Sequence, residues 1–256
     1  MNFSVCIDAV YHGKDLEASL RECSGAGFRN IEFWSWWDKD VSLLETLQRE
    51  LGIRYVAFCA PFVSLVDAAR RTEFLRGLSD TIAVAKRLHC QRIIAQTGNE
   101  LSLPRAAQHE ALVEGLRTCV GPLEKSGVTL VIEPLNLAVD HPGYYLASSR
   151  EAFAVAQEVH SDHVKVLYDI YHMQINEGDI LRAMEPNLGK IGHIHVAGSN
   201  GRHEPENGEL NYPFILNGLD AAGYGAYIGL EYYPLGDPLS GLKAFAESCE
   251  GMSSGR

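Results

Sequence analysis

Four short runs of this sequence each end an apolar, strand-like stretch on a group that is costly to bury. VIEPLN carries Glu133, VLYDIYHM carries Asp169 with His172 three residues on, HIHVAG carries His195, and IGLEYYP carries Glu231. Each shares parity with an inner-face neighbour two residues earlier, Val131, Leu167, His193 and Gly229, so all four can point to the same side of a sheet. Three carboxylates and an imidazole brought together away from water repel one another and suffer desolvation, unless they are protonated or held by a cation. We therefore read Glu133, Asp169, His195 and Glu231 as ligands of one divalent metal. An oxygen-rich set with one nitrogen suits manganese, with magnesium or cobalt as alternatives.

Such ligands need rigid mounts that converge, and the pattern of the chain supplies them. Strands are expected at 3–8, 30–34, 54–60, 92–98, 129–136, 164–170, 191–197 and 226–233, where β-branched and aromatic residues cluster. Helical patterns are expected between them at about 15–26, 41–51, 67–89, 105–126, 148–160, 178–187, 212–222 and 238–249. Several close on glycine, as in SGAGF, ELGI, KSGV and AAGYG, which supplies the left-handed residue that ends a helix. Eight strand-helix repeats fit an α/β fold of the (β/α)8 TIM barrel type better than a doubly wound sheet. No low-complexity linker divides the chain, so one domain is expected over residues 1–256. Active sites of this fold gather at the C-terminal strand ends, where the four candidate ligands lie.

Composition removes other classes. A formal charge of −11 argues against a surface built to neutralise phosphates, so no extended nucleic-acid binding is expected. The six cysteines are scattered with no C-x-x-C pair and read as reduced core thiols. The N-terminus lacks a signal-peptide pattern and no segment is apolar enough for a membrane span, so the expectation is a soluble, cytoplasmic protein.

The segments VIEPLN, YDIYHMQINEGD, KIGHIHVAG, GRHEPENGELNY and YIGLEYYP resemble the hydroxypyruvate isomerase family. More distantly they resemble the D-tagatose 3-epimerase-like ketose epimerases of the xylose-isomerase-like barrel superfamily. The likeness is close over about residues 129–234. It implies metal ligation by Glu133, Asp169, His195 and Glu231, with Glu133 and Glu231 doubling as an acid/base pair, and it implies that His172 and Arg202 bind substrate oxygens. The chemistry is consistent with those roles. A metal that holds a carbonyl and a neighbouring hydroxyl stabilises the enediolate formed when the intervening proton leaves, and two glutamates can remove and return that proton. The glutamate that many ketose epimerases carry six residues after the first ligand is Val139 here, with Asp140 next.

Around these residues, IEFWSWWDKD places Glu32, Trp34, Trp36 and Trp37 after the second strand, and Trp34 is taken as a substrate-binding wall whose indole can stack on a sugar. The bland alternative is an aromatic lid packed on the core or on a second subunit of a homo-oligomer. Tyr11, His12, Phe62 and Gln96 are further pocket candidates, while His193 is expected to fill or hydrogen-bond in the core and Glu204 and Glu209 to be structural or solvated. The expected function is a metal-dependent isomerase or epimerase acting on a small sugar or hydroxy-keto acid through a metal-bound enediolate. A lyase on the same scaffold, an inosose-type dehydratase or a C-glycoside-cleaving subunit, is the alternative, since both chemistries begin with proton abstraction by a glutamate.

Overall fold

Runs rich in valine, isoleucine, phenylalanine and tyrosine form eight strands: β1 (Asn2–Cys6), β2 (Asn30–Phe33), β3 (Arg54–Cys59), β4 (Arg92–Ala95), β5 (Thr129–Ile132), β6 (Val164–Asp169), β7 (Ile191–Val196) and β8 (Tyr227–Leu230). All pairs are parallel, the strands follow chain order, and β8 pairs with β1 to close the barrel. This computed structural model describes residues 1–250; residues 251–256, the last part of the expected domain, lie outside the described residues. The expected (β/α)8 TIM barrel is the observed fold.

The connecting helices fall where periodicity puts them: Leu16–Gly25, Val41–Leu51, Arg71–Arg87, Arg105–Ser126, Ser149–Val159, Ile180–Met184 with its 3-10 extension Glu185–Lys190, Tyr212–Ala221 and Pro238–Glu250. Several starts are capped by short polar side chains. Asp15 accepts from Ala18 N, Asp40 from Ser42 N and Leu43 N, and Asn211 from Phe214 N. A cap of this kind is worth about 1 kcal/mol, because it satisfies a backbone donor that the helix itself leaves open. Two helices end on glycine in the left-handed region, Gly52 at φ 62° and Gly127 at φ 70°, a conformation that costs a side-chain-bearing residue steric energy.

Apolar burial is divided between two layers. Ala57, Cys59, Ile94, Val131 and Leu167 fill the barrel interior, and a larger core lies between strands and helices. The six cysteines are all unpaired, five of them buried. Among the described residues no helix is long and apolar enough to cross a membrane.

The strands stop one to four residues short of the expected runs, and the difference matters at the C-terminal mouth. Beyond β1 and β6 the chain turns at once into the short helices Ile7–Val10 and Ile170–Asn176, where continued extension was expected. At β6 the cause is Asp169, whose Oδ1 accepts from Tyr171 N at 2.8 Å and His172 N at 3.4 Å. It is both the last strand residue and a helix N-cap. Glu133 and Glu231 stand one residue past β5 and β8, at the start of the loops.

Candidate active site

Strand register brings the candidate ligands level. Asp169 pairs with His195 across β6 and β7, and His195 pairs with Gly229 across β7 and β8. Glu133 and Glu231 enter from the adjoining strand ends, and one ligand atom from each of Glu133, Asp169, His195 and Glu231 lies within 4.8 Å of all the others. His195 Nδ1 is 3.3 Å from Glu231 Oε2 and 3.8 Å from Glu133 Oε1. All four residues are buried, and Glu133, His195 and Glu231 line a cavity of about 410 Å³ that also takes in Trp34, Trp37, Phe62, His172 and Arg202.

The electrostatics of this cluster are unbalanced. Arg202 is the single lysine or arginine among the described residues that line the cavity, and its Nη2 donates to Glu231 Oε2 and lies 3.9 Å from Asp169 Oδ2. Burial works against ionisation of Glu231, but Arg202 and His195 outweigh it and hold that carboxyl well below its usual range. Asp169 goes the other way: burial lifts it to about 7, against Arg202 and His195 and with Glu133 and Glu231 adding to the rise. Arg202 and His195 together do not offset three carboxylates.

Glu32 sets the orientation of His195. It reaches across the barrel from β2, accepts His195 Nε2 and His193 Nε2 at 2.9 Å each, and also accepts from Ser4 Oγ. Burial disfavours its charge, yet His193 and His195 keep it ionised, well below the usual carboxylate range. A carboxylate on one ring nitrogen fixes the tautomer and leaves the other nitrogen free as a ligand. Space for this pair exists because β8 has Gly229 opposite: a Cβ there would lie 2.5 Å from Glu32 Oε1 and 2.6 Å from His195 Cδ2. Gly229→Ala is accordingly expected to destabilise the protein by about 1–3 kcal/mol and to displace His195. A thermal melt indistinguishable from the parent would contradict this packing.

The donor set fits a divalent cation. Asp169 Oδ2 and His195 Nδ1 are both buried and have no hydrogen-bond partner, and both belong to the converging ligand atoms. Buried polar atoms are normally satisfied, so two orphans facing surplus carboxylate charge mark a place where a cation would be stabilised.

A family model described as xylose isomerase-like TIM barrel matches residues 20–252. The chain belongs to that family. Among curated relatives, a hydroxypyruvate isomerase of Escherichia coli K12 is 29% identical over 252 residues, covering 95% of this chain and 97% of the relative. A 2-oxo-tetronate isomerase of Pectobacterium atrosepticum is 30% identical over 237 residues, covering 87% and 88%. A solved structure from Brucella melitensis, described as an AP endonuclease of family 2, superposes with a TM-score of 0.92 at 30% identity over 96% of this chain and 98% of that one. Solved ketose 3-epimerases share the barrel at 20–21% identity.

In this xylose isomerase-like barrel, Trp34, His172 and Arg202 line the same cavity as Glu133, His195 and Glu231. His172 is buried, and burial together with Arg202 drives its ring well below the usual histidine range, so it is neutral. Arg202 sits at φ 58°, a left-handed turn, and its backbone oxygen accepts from Tyr233 N at 2.8 Å. Trp34 lines the cavity, but its Nε1 donates to Glu231 Oε1 at 2.6 Å, so it orients a carboxylate as well as forming a wall. The tryptophans separate. Trp37 and Phe62, 43% and 54% exposed, stack edge to face at 5.5 Å on the rim, whereas Trp36 turns away to donate to Thr81 Oγ1.

Gln96 also lines the site, while Tyr11 and His12 line a neighbouring cavity that shares only Trp34 and Ser35 with it. His193 is a core residue bonded to Glu32, and buried Glu204 accepts from Leu235 N and Asn207 Nδ2, both as expected. Glu32, expected after the second strand, lies within β2 instead and bonds His193 and His195 in the barrel interior. Asn136, His141 and Tyr233 were not foreseen. Asn136 carried a signal, since it follows Glu133 by three residues at a strand end.

Proposed function

We propose that this protein is a divalent-metal-dependent isomerase or epimerase that interconverts a small hydroxy-ketone or ketose by moving a proton α to the carbonyl. The observation that carries the reading is the convergence of Glu133, Asp169, His195 and Glu231 on one point, with Glu133, His195 and Glu231 lining a cavity. Those four residues would hold the cation, manganese by donor hardness with magnesium or cobalt as alternatives, and when bound it supplies a Lewis acid for the substrate's carbonyl and neighbouring hydroxyl oxygens. The relatives named as hydroxypyruvate and 2-oxo-tetronate isomerases support the same reaction class.

The chain's own groups divide the remaining work. Glu133 and Glu231 come from β5 and β8, strands that are not neighbours in the barrel, and so can address different faces or carbons of a planar enediolate. Arg202 and Trp34 donate to Glu231, which keeps that carboxylate ionised and aimed. His172 Nε2, buried without a partner on the cavity wall, can donate to a substrate oxygen as negative charge develops there. Trp34, Trp37 and Phe62 offer apolar faces to the substrate's C–H surface. Six unpaired thiols accord with a reducing compartment such as the cytoplasm. The net charge and the single lysine or arginine in the cavity weigh against a nuclease reading.

The test is turnover of a panel of ketoses and hydroxy-keto acids in deuterated water. An isomerase or epimerase incorporates solvent deuterium at the carbon that loses its proton and returns a product of unchanged formula. Release of water or of an aglycone would overturn this reading in favour of elimination.

A further inference from the structure

His172 Nε2 lines the cavity unpartnered, 3.5 Å from Asp169 Oδ2. What that nitrogen presents to a substrate is decided at the other side of the ring. Nδ1 is met by the backbone N–H of Asn136 at 3.3 Å and by Asn136 Nδ2 at 2.8 Å. The orientation of the Asn136 amide is fixed independently of the histidine. Its Oδ1 accepts from the backbone N–H groups of Val139 and Asp140, each at 3.0 Å, and a backbone N–H can only donate. The group turned toward His172 is therefore the NH₂. One of its protons goes to Asp140 Oδ2 at 2.6 Å, an oxygen that also accepts from the Tyr171 hydroxyl at 2.7 Å. The other goes to His172 Nδ1.

We propose that Asn136, aimed by its own loop and by Asp140, is a positioning residue that fixes His172 as the Nε2–H tautomer, so the ring enters the cavity as a dedicated hydrogen-bond donor. A neutral imidazole whose Nδ1 accepts must carry its proton on Nε2. With no lone pair there, His172 can neither bind the cation nor take a C–H proton, and proton transfer is left to Glu133 and Glu231. Asp140 Oδ2 lies 4.0 Å from Nδ1, and without the intervening amide that carboxylate would attract a proton to Nδ1 and turn the ring's lone pair toward the substrate. The side chain of Val139, 63% exposed, takes no part beyond the backbone N–H that meets Asn136 Oδ1. The catalytic consequence rests on the enediolate reading above, but the tautomer rests on hydrogen bonding alone.

Long-range proton–nitrogen NMR spectra of the full-length protein carrying isotope-labelled histidine read the tautomer without any turnover. The expected result is a proton on Nε2 and a bare Nδ1. Asn136→Asp keeps an oxygen for the two loop N–H groups but replaces the donor facing His172 with an acceptor. It is expected to move the proton to Nδ1 and to lower kcat on the order of 100-fold with little change in KM. The double variant Asn136→Asp/Asp140→Asn restores the charge of the pair and a hydrogen bond between the two positions, yet still presents an acceptor to Nδ1. It is expected to remain as slow as the single variant, whereas a merely structural role for Asn136 requires recovery. Recovery in the double variant, or a parent spectrum with the proton on Nδ1 or on both nitrogens, overturns the proposal. The parent spectrum decides alone if neither variant folds. An Nε2–H ring in a protein that turns over no ketone would leave the tautomer standing and remove only the enediolate reading.

Discussion

Glu133→Gln and Glu231→Gln are each expected to lower turnover by at least about 10³-fold while the barrel still folds. Glutamine matches glutamate in shape but is a weaker ligand without charge and has no basic oxygen to accept a C–H proton, so ligation is weakened and proton transfer by that group is lost. Folding is spared because the sheet, closed from β1 to β8, and its apolar layers do not depend on either side chain. At position 231 the amide would still accept from Trp34 Nε1, but it loses the charge that Arg202 now meets. Solvent exchange separates the two roles: the variant lacking the group that removes the proton shows no deuterium wash-in, and the other exchanges without forming product. Activity within tenfold of the parent in either variant, with a far-ultraviolet spectrum unchanged, would remove the acid/base assignment.

Stripping divalent cations is expected to abolish turnover and to lower the thermal midpoint, with manganese restoring both. The physical reason is the charge imbalance at the site, where Glu133, Asp169 and Glu231 outnumber Arg202 and His195 and burial has already lifted Asp169 to about 7. A cation that binds the folded state alone stabilises it by about 2.7 kcal/mol at a hundredfold excess over its dissociation constant. The direction follows: with the metal present the carboxylates are neutralised in place, and without it their mutual repulsion returns. Two measurements check this, activity and melting after chelation with metal content verified by elemental analysis. Full turnover in protein shown to be metal-free would discard the metal-assisted route, and an unmoved midpoint on adding manganese would discard the site itself.

Much of this was legible in the chain before any coordinates. Alternating apolar runs and glycine-closed helices specified eight strand-helix units, and period-2 parity put Glu133, Asp169, His195 and Glu231 on the inner face with Val131 and Leu167 beneath them. These are local properties, because the face a residue takes depends only on its position within its own strand. Strand ends were read too long for a related reason: propensity continues through YDIYHM, but Asp169 caps a helix there and ends the extension.

What needed the tertiary structure was every contact made across the barrel or between loops. Glu32 meets His193 and His195 from 161 and 163 residues away, and parity within β2 says nothing about which strand it will face or how far down the barrel it will sit. Trp34, Trp36 and Trp37 are alike in sequence, yet one orients Glu231, one packs on Thr81 and one forms the rim, since side-chain direction after a strand end is set by the loop's path. Asn136 and His172 lie 36 residues apart, and which nitrogen of the ring faces the cavity follows only from where the loop's backbone donors fall. The sequence determined the barrel and the residue types at its mouth; closure of the barrel, which puts distant strands side by side, decided which of those residues touch.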